Sequence, residues 1–323
     1  MINSTISRRS RVRQVVVACA LAITGASACA PHGDSAATTK EGFIQVEGGK
    51  VWYHIEGADK RGTPLLVLHG GPGSSSIGSK PMFALATDRP VIIYDQLGCG
   101  KSDRPTDTTL FTVDRFVREL QTVRDSLKLD TVDLMGHSWG AMLAEAYMGT
   151  KPKGVRKLIL SSPLVTTAQW THDADSLIKL LPDSVQQLIT REEAAKTTDS
   201  PAYAAAMDEY YARHVRTKPR ANPADGDSSG KAFGKLVYNY MWGPSEFTST
   251  GTLKTFDATE WLKGIAVPTL FLAGETDEAT PSSTEAFSRL VPGSRFVMIP
   301  NSGHATSNDN LPAVLTAVRD FLK

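Results

Sequence analysis

The segment Gly136-His137-Ser138-Trp139-Gly140 sets a serine between two glycines. It follows an apolar run containing Val132, Leu134 and Met135, and it opens a helix-like stretch of Ala141, Met142, Leu143, Ala144, Ala146 and Tyr147. A serine on a sharp strand-to-helix turn projects its hydroxyl clear of the backbone, and flanking glycines let the turn pack without Cβ clashes. Ser138 is therefore a candidate nucleophile. The five-residue pattern also arises as a plain tight turn, so the rest of the chain has to decide between the two.

A serine hydroxyl is a poor nucleophile at neutral pH. It needs a base within hydrogen-bonding reach, and the base needs an acid to orient it. After Ser138 the chain offers only His172, His214 and His304 as bases. His304 and Asp277 each sit in a loop just after an apolar, strand-like run, Asp277 in Gly274-Glu275-Thr276-Asp277 and His304 in Asn301-Ser302-Gly303-His304. In a parallel sheet both loops open on the same edge as the serine turn, which is the edge where ligands bind. His172 and His214 fall in a segment without a buried strand. A tetrahedral intermediate also needs two backbone N–H donors. Trp139, next to the serine, supplies one. Gly71, in the loop His69-Gly70-Gly71-Pro72-Gly73, is the choice for the other, since missing side chains let backbone approach a substrate. That loop lacks the spacing of a phosphate-binding or dinucleotide-binding glycine loop.

The elements that must hold these residues alternate between strand-like and helix-like from Gly42 onward. Residues 43–46 and 50–55 read as a hairpin turning at Gly48-Gly49. Residues 64–68, 91–94, 157–160, 268–272 and 295–299 read as strands, most of them continuously apolar as in strands buried on both faces. Val113, Phe116, Val117, Leu120, Val123 and Leu127 repeat at helical spacing, as do Leu311, Val314, Leu315, Val318 and Leu322. A further helix is expected at 283–290. This alternation predicts an α/β fold with a mainly parallel sheet and helices on both faces. The rhythm breaks at residues 166–259, where helical patches (176–181 and 204–215) flank a Pro/Gly/Ser-rich break at 218–230. That region reads as an inserted helical cap, between a first core part at 42–165 and a second at 260–323.

Charge and the N-terminus bound the setting. Of 35 basic residues, Arg8, Arg9, Arg11 and Arg13 lie in the first 28 positions, which hold no acid. The body keeps 31 basic against 34 acidic residues, which gives no electrostatic case for nucleic acid. The arginine-rich start, the apolar run 15–23 and the small residues Gly25-Ala26-Ser27-Ala28 form an export signal over residues 1–28, too short for a permanent membrane span. Ala26-Ser27-Ala28-Cys29 resembles a lipoprotein cleavage box with Cys29 as the lipid site, although ordinary cleavage after Ala28 fits as well. Residues 29–41 read as a tether. The expected location is the periplasm or cell envelope. Cys99 is then the one body cysteine, and it has no histidine beside it in sequence. The seven histidines form no H-E-x-x-H or Cys/His cluster, so neither a metal nor a cofactor is expected.

His-Gly-Gly-Pro-Gly (69–73), Tyr-Asp-Gln-Leu-Gly-Cys-Gly-Lys-Ser-Asp (94–103), Gly-His-Ser-Trp-Gly (136–140), Gly-Pro-Ser-Glu-Phe (243–247) and Gly-Glu-Thr-Asp-Glu-Ala-Thr-Pro (274–281) together resemble the proline iminopeptidase family, in its tricorn-interacting aminopeptidase-like branch. The resemblance runs from about Gly42 to Lys323. It implies an α/β-hydrolase core with a helical cap, and release of N-terminal residues, often proline, from short peptides. It also implies that Glu246 and Glu278 bind the substrate's free amine, with Glu209 a weaker third candidate. A recognised ammonium fits paired carboxylates through charge-assisted hydrogen bonds. Two alternatives remain open on sequence: an amino-acid amide or small amide/ester hydrolase with the same triad, and a non-catalytic binding lipoprotein on a hydrolase fold. The loop after His304 lacks the aromatic residue common in the family, and an export signal departs from relatives that process cytosolic peptides.

Overall fold

The computed structural model describes residues 38–220 and 223–323. Its strands are β1 (Lys40–Val46), β2 (Gly49–Glu56), β3 (Leu65–Leu68), β4 (Val91–Tyr94), β5 (Val132–His137), β6 (Val155–Ser161), β7 (Thr269–Gly274) and β8 (Arg295–Ile299). They form one sheet in the order β1-β2-β4-β3-β5-β6-β7-β8. The β1–β2 hairpin and the β2–β4 pair are antiparallel, and every other pairing is parallel. β1 starts at Lys40, opposite Ile55, two residues inside the segment expected to be a tether.

Helices α1 (Val113–Ser126) and α2 (Trp139–Gly149) precede and follow β5. Between β6 and β7 lie α3 (Thr167–Ile178), α4 (Asp183–Ala195), α5 (Pro201–Tyr210), α6 (Pro223–Ala232), α7 (Lys235–Met241) and α8 (Thr259–Lys263). The helices α9 (Pro281–Ser288), α10 (Thr306–Asp309) and α11 (Leu311–Leu322) accompany the last strands. The segment from α3 to α7, together with the loop up to α8, is called the cap below.

Strand alternation divides the core in two. Leu66, Leu68, Ile92, Leu134, Leu158 and Phe271 face a cluster that includes Phe116, Leu120 and Val123 of α1. Their neighbours Leu65, Val67, Ile93, Met135, Ile159 and Leu270 face the other side, against Met82, Leu85 and Val314, Val318 and Phe321 of α11. Successive side chains of a strand point to opposite faces, so a central strand covered on both sides must be apolar throughout. Each such buried aliphatic side chain contributes roughly 1.5–3 kcal/mol. β8 lies at the sheet edge, where Arg295 and Met298 are exposed.

The cap departs from the sequence reading in several places: α3 begins well before the patch expected at 176–181, and α7 lies where no helical patch is expected. Helix α4 lies where none is expected, and α6 runs through the Pro/Gly/Ser-rich stretch 218–230. Pro223 stands at the start of α6, where a missing N–H costs nothing. The far end is capped from the core: Arg104 donates to the carbonyls of Lys231 and Ala232, and the Gly100 amide also donates to Ala232. Those tertiary bonds satisfy carbonyls that a helix end leaves open, and they override weak local propensity.

Candidate active site

Ser138 occupies the tip of the β5–α2 turn with φ 55° and ψ −123°, a backbone state that costs on the order of 1–3 kcal/mol. Its neighbours enforce it. The Ser138 amide donates to the Ser161 carbonyl at 3.0 Å, and the turn is pressed so tightly that a Cβ on Gly140 would lie 2.3 Å from the Leu68 carbonyl oxygen. The indole of Trp139 is fixed below by a 2.7 Å bond from Nε1 to Gln96 Oε1 and by edge-on packing against Phe116. The Trp139 amide is the first of α2, one of the amides a helix leaves without an internal acceptor. Gly71, at φ +119°, borders the same pocket, and its amide has no acceptor among the described residues.

Asp277 and His304 come together from the loops after β7 and β8. His304 Nδ1 lies 2.8 Å from Asp277 Oδ1. A carboxylate only accepts, so Nδ1 carries the proton and Nε2 is left to receive one. Asp277 is fully engaged. Oδ1 also accepts from the Ala279 amide at 2.9 Å, while Oδ2 accepts from Ser162 Oγ at 2.6 Å and the Gly274 amide at 2.9 Å. Ser162 is buried and at φ 48°, and nothing in Ser161-Ser162-Pro163 marks it in the sequence. The rings of His137 and Trp170 pack on His304, with centroids 4.8 Å and 5.5 Å away.

Burial alone would push the His304 imidazole down, but the charges of Asp277, Glu278 and Glu246 outweigh it and lift it to about 9. His137 goes the other way: burial, then the neighbouring His304 charge, takes it down to about 3, so it stays a neutral packing surface. The two glutamates converge on the base from different elements. Glu278, in the β7 loop and 1% exposed, places Oε1 3.8 Å from His304 Nε2, and neither of its carboxylate oxygens has a hydrogen-bond partner among the described residues. Glu246 reaches in from the cap loop after α7, where the Trp170 indole donates to its carbonyl at 2.8 Å and its amide donates to the Tyr211 hydroxyl at 3.3 Å. Burial raises both carboxyls, Glu278 strongly, and the charge of His304 opposes that rise. The Tyr210 hydroxyl lies close enough to feel Glu278 as its main charge, and those of Tyr211 and Tyr238 feel Glu246 in the same way. Glu209 is not part of this set: it pairs with Arg213 at 2.6 Å, and both side chains are more than 40% exposed.

A narrow pocket opens beside Ser138, with apolar walls from Met142, Leu164, Trp170, Trp242 and Leu253 and Glu246 as its acid. His214 is held elsewhere, with Nδ1 donating to the Thr276 carbonyl. His172 makes no contact with this set among the described residues. Cys99 does have a histidine beside it in space, His69, at 3.5 Å, but that ring accepts from the Gln96 amide through Nε2, and the buried thiol is pushed well up. Cys29 and the expected leader lie outside the described residues.

A family model described as the alpha/beta hydrolase fold matches residues 63–310. The proline iminopeptidase of Heyndrickxia coagulans is 47% identical over 283 residues, covering 87% of this chain and 98% of the relative. The chain belongs to the proline iminopeptidase family. Among solved structures, a proline iminopeptidase from Mycobacterium smegmatis superposes with a TM-score of 0.80 at 32% identity, over 88% of this chain and 97% of that one. The structure of VinJ matches with a TM-score of 0.82 at 32% identity, over 88% of this chain and 98% of that one. Family membership accounts for the chain order of serine, acid and base. The tyrosine cluster and Ser162 are features read from the geometry.

Proposed function

We propose that this chain is a serine aminopeptidase that releases N-terminal proline from short peptides. One observation carries the substrate class: two carboxyl groups, the buried Glu278 and the half-buried Glu246, stand beside the candidate base with His304 as their one cationic neighbour among the described residues, which leaves the pair short of one positive charge. A substrate's N-terminal ammonium would supply that charge. The protonated nitrogen of proline has two N–H donors, one for each carboxylate, and charge-assisted bonds of this kind are the strong ones. The apolar walls suit a pyrrolidine ring. An internal peptide bond would drive chain into the carboxylates, which would then be buried without a partner.

In the mechanism that follows, Ser138 Oγ attacks the carbonyl of the first residue while His304 Nε2 takes its proton, with Asp277 holding the tautomer. The amides of Trp139 and Gly71 receive the developing oxyanion. His304 returns the proton to the departing amine, and water repeats the sequence on the acyl-enzyme. The N-terminal segment adds an inference of export, with Cys29 as the lipid site; mass spectrometry of the mature N-terminus tests it.

Hydrolysis of L-prolyl arylamide compared with its N-acetyl form tests the activity. The free amine is expected to be strongly preferred, and equal rates on both would overturn the amine-binding reading. Preference for a simple ester or amino-acid amide over a prolyl peptide would overturn the peptide assignment.

A further inference from the structure

The loop that carries His304 is bonded to the cap as closely as to the sheet. The His304 amide donates to the His214 carbonyl at 2.8 Å, and the Ala305 amide to the Val215 carbonyl at 2.7 Å. Cap backbone lies so near that a Cβ on Gly303 would meet the His214 oxygen at 2.7 Å. Side chains of α10 close this junction from the core, Asp309 foremost. Asp309, 4% exposed at the end of α10, accepts through Oδ2 from the Gly303 amide at 3.0 Å, the Thr217 amide at 2.9 Å and Thr217 Oγ1 at 2.8 Å. Its Oδ1 accepts from the Lys218 amide at 3.3 Å and from Asn308 Nδ2 at 2.9 Å. A single carboxylate therefore joins the residue before the catalytic histidine to two consecutive cap residues.

We propose that Asp309 is a positioning residue: it locks the His304 loop to cap residues Thr217 and Lys218, so that the general base stays in register with Ser138 only while this part of the cap is seated. The inference rests on the reading of His304 as general base. Among the described residues, Asp309 is the one side-chain acceptor in the junction; Asn308 Nδ2 donates to the Lys218 carbonyl at 2.9 Å and Lys218 Nζ to the Asp309 carbonyl at 2.6 Å, but neither of these bonds reaches Gly303. Asp309 makes no contact with Glu246 or Glu278 among the described residues, so its loss acts on chemistry and spares recognition of the amine. A displacement of about 1 Å in a catalytic group can cost on the order of a hundredfold in rate.

Asp309→Ala, Asp309→Asn and Thr217→Val are compared with wild type by kcat and KM on L-prolyl arylamide, by the rate of Ser138 sulfonylation with phenylmethylsulfonyl fluoride, and by the downfield proton resonance of His304 Nδ1–H. Asp309→Ala is expected to lower kcat by roughly tenfold or more with KM held within about twofold, to slow sulfonylation, and to broaden the Nδ1–H resonance. Asp309→Asn, which keeps an oxygen toward Gly303 and Thr217, is expected to restore most of the rate. Thr217→Val, which removes one donor from the cap side, is expected to give a smaller fall in the same direction, and it decides the matter should Asp309→Ala not fold. Unchanged kcat and sulfonylation in the Thr217 and Asp309 variants overturn the proposal. So does a fall in kcat matched by a rise in KM, with Asn no better than Ala. A wild-type protein inactive on every prolyl substrate overturns instead the aminopeptidase reading beneath it.

Discussion

His304 Nε2, the nitrogen that must accept the serine proton, lies 3.8 Å from Glu278 Oε1, a carboxylate oxygen with no hydrogen-bond partner among the described residues. In the free enzyme this pair favours a protonated imidazole, which cannot act as a base. A bound substrate ammonium would draw the negative charge of Glu278 and Glu246 away from His304.

The pH profile reads this directly. His304 is lifted to about 9, so in the free enzyme the neutral, active base is populated as pH rises through that value and lost below it. The acidic limb of kcat/KM, which reports the free enzyme, is expected well on the alkaline side of the ordinary histidine value of 6.5. The limb of kcat, which reports the complex, is expected lower. Glu278→Gln should move the kcat/KM limb down, because it removes one of the charges that stabilise the imidazolium. Coincident limbs in wild type and variant would count against this coupling.

Glu246→Gln separates recognition from chemistry. Losing one charge-assisted bond to a desolvated ammonium costs about 1.5–3 kcal/mol, roughly a ten- to hundredfold rise in KM for a free-amine substrate. Compared above the His304 limb, where the imidazole is neutral with or without the Glu246 charge, residual turnover of the N-acetylated analogue should be unaffected. Steady-state kinetics on the two arylamides gives the comparison.

Ser162→Ala removes one of the four hydrogen bonds that orient Asp277. A fall in kcat of about tenfold is expected, with little change in KM, since a bond to an ionised group contributes about 1.5–3 kcal/mol and three others remain. Wild-type kcat in this variant would show that the amides of Gly274 and Ala279 suffice.

Cys99 is a structural thiol that donates to the Gln96 carbonyl at 3.2 Å. Burial pushes its ionisation well up, so iodoacetamide should leave activity intact while a serine-directed sulfonyl fluoride abolishes it. Cys99→Ala is expected to stay active and to lose about 1 kcal/mol of stability, read from denaturant midpoints.

The parts legible from sequence are those that local chemistry constrains. The serine turn announces itself because Gly140 has no room for a side chain, and the sheet because strands covered on both faces must be apolar throughout. The acid could be named because Asp277 follows such a strand, and the base because His304 follows the apolar residues of the edge strand β8. Helix α6 was not legible, because what holds its end is Arg104, more than a hundred residues away. Ser162 and Asp309 were not legible either, because a serine after a strand and an aspartate in a short helix carry no mark of their partners.

The sequence by itself determined the fold class, the family and the residues available for catalysis, since these rest on motifs and periodicities that act over a few residues. Tertiary structure alone decided how those residues bias one another. Glu246 and Glu278 meet His304 from separate elements, and burial strengthens the interaction of three ordinary charges until they act on one another. It also decided what holds the base in place, because the bonds from Asp309 to Thr217 and from His304 to His214 join parts of the chain some ninety residues apart.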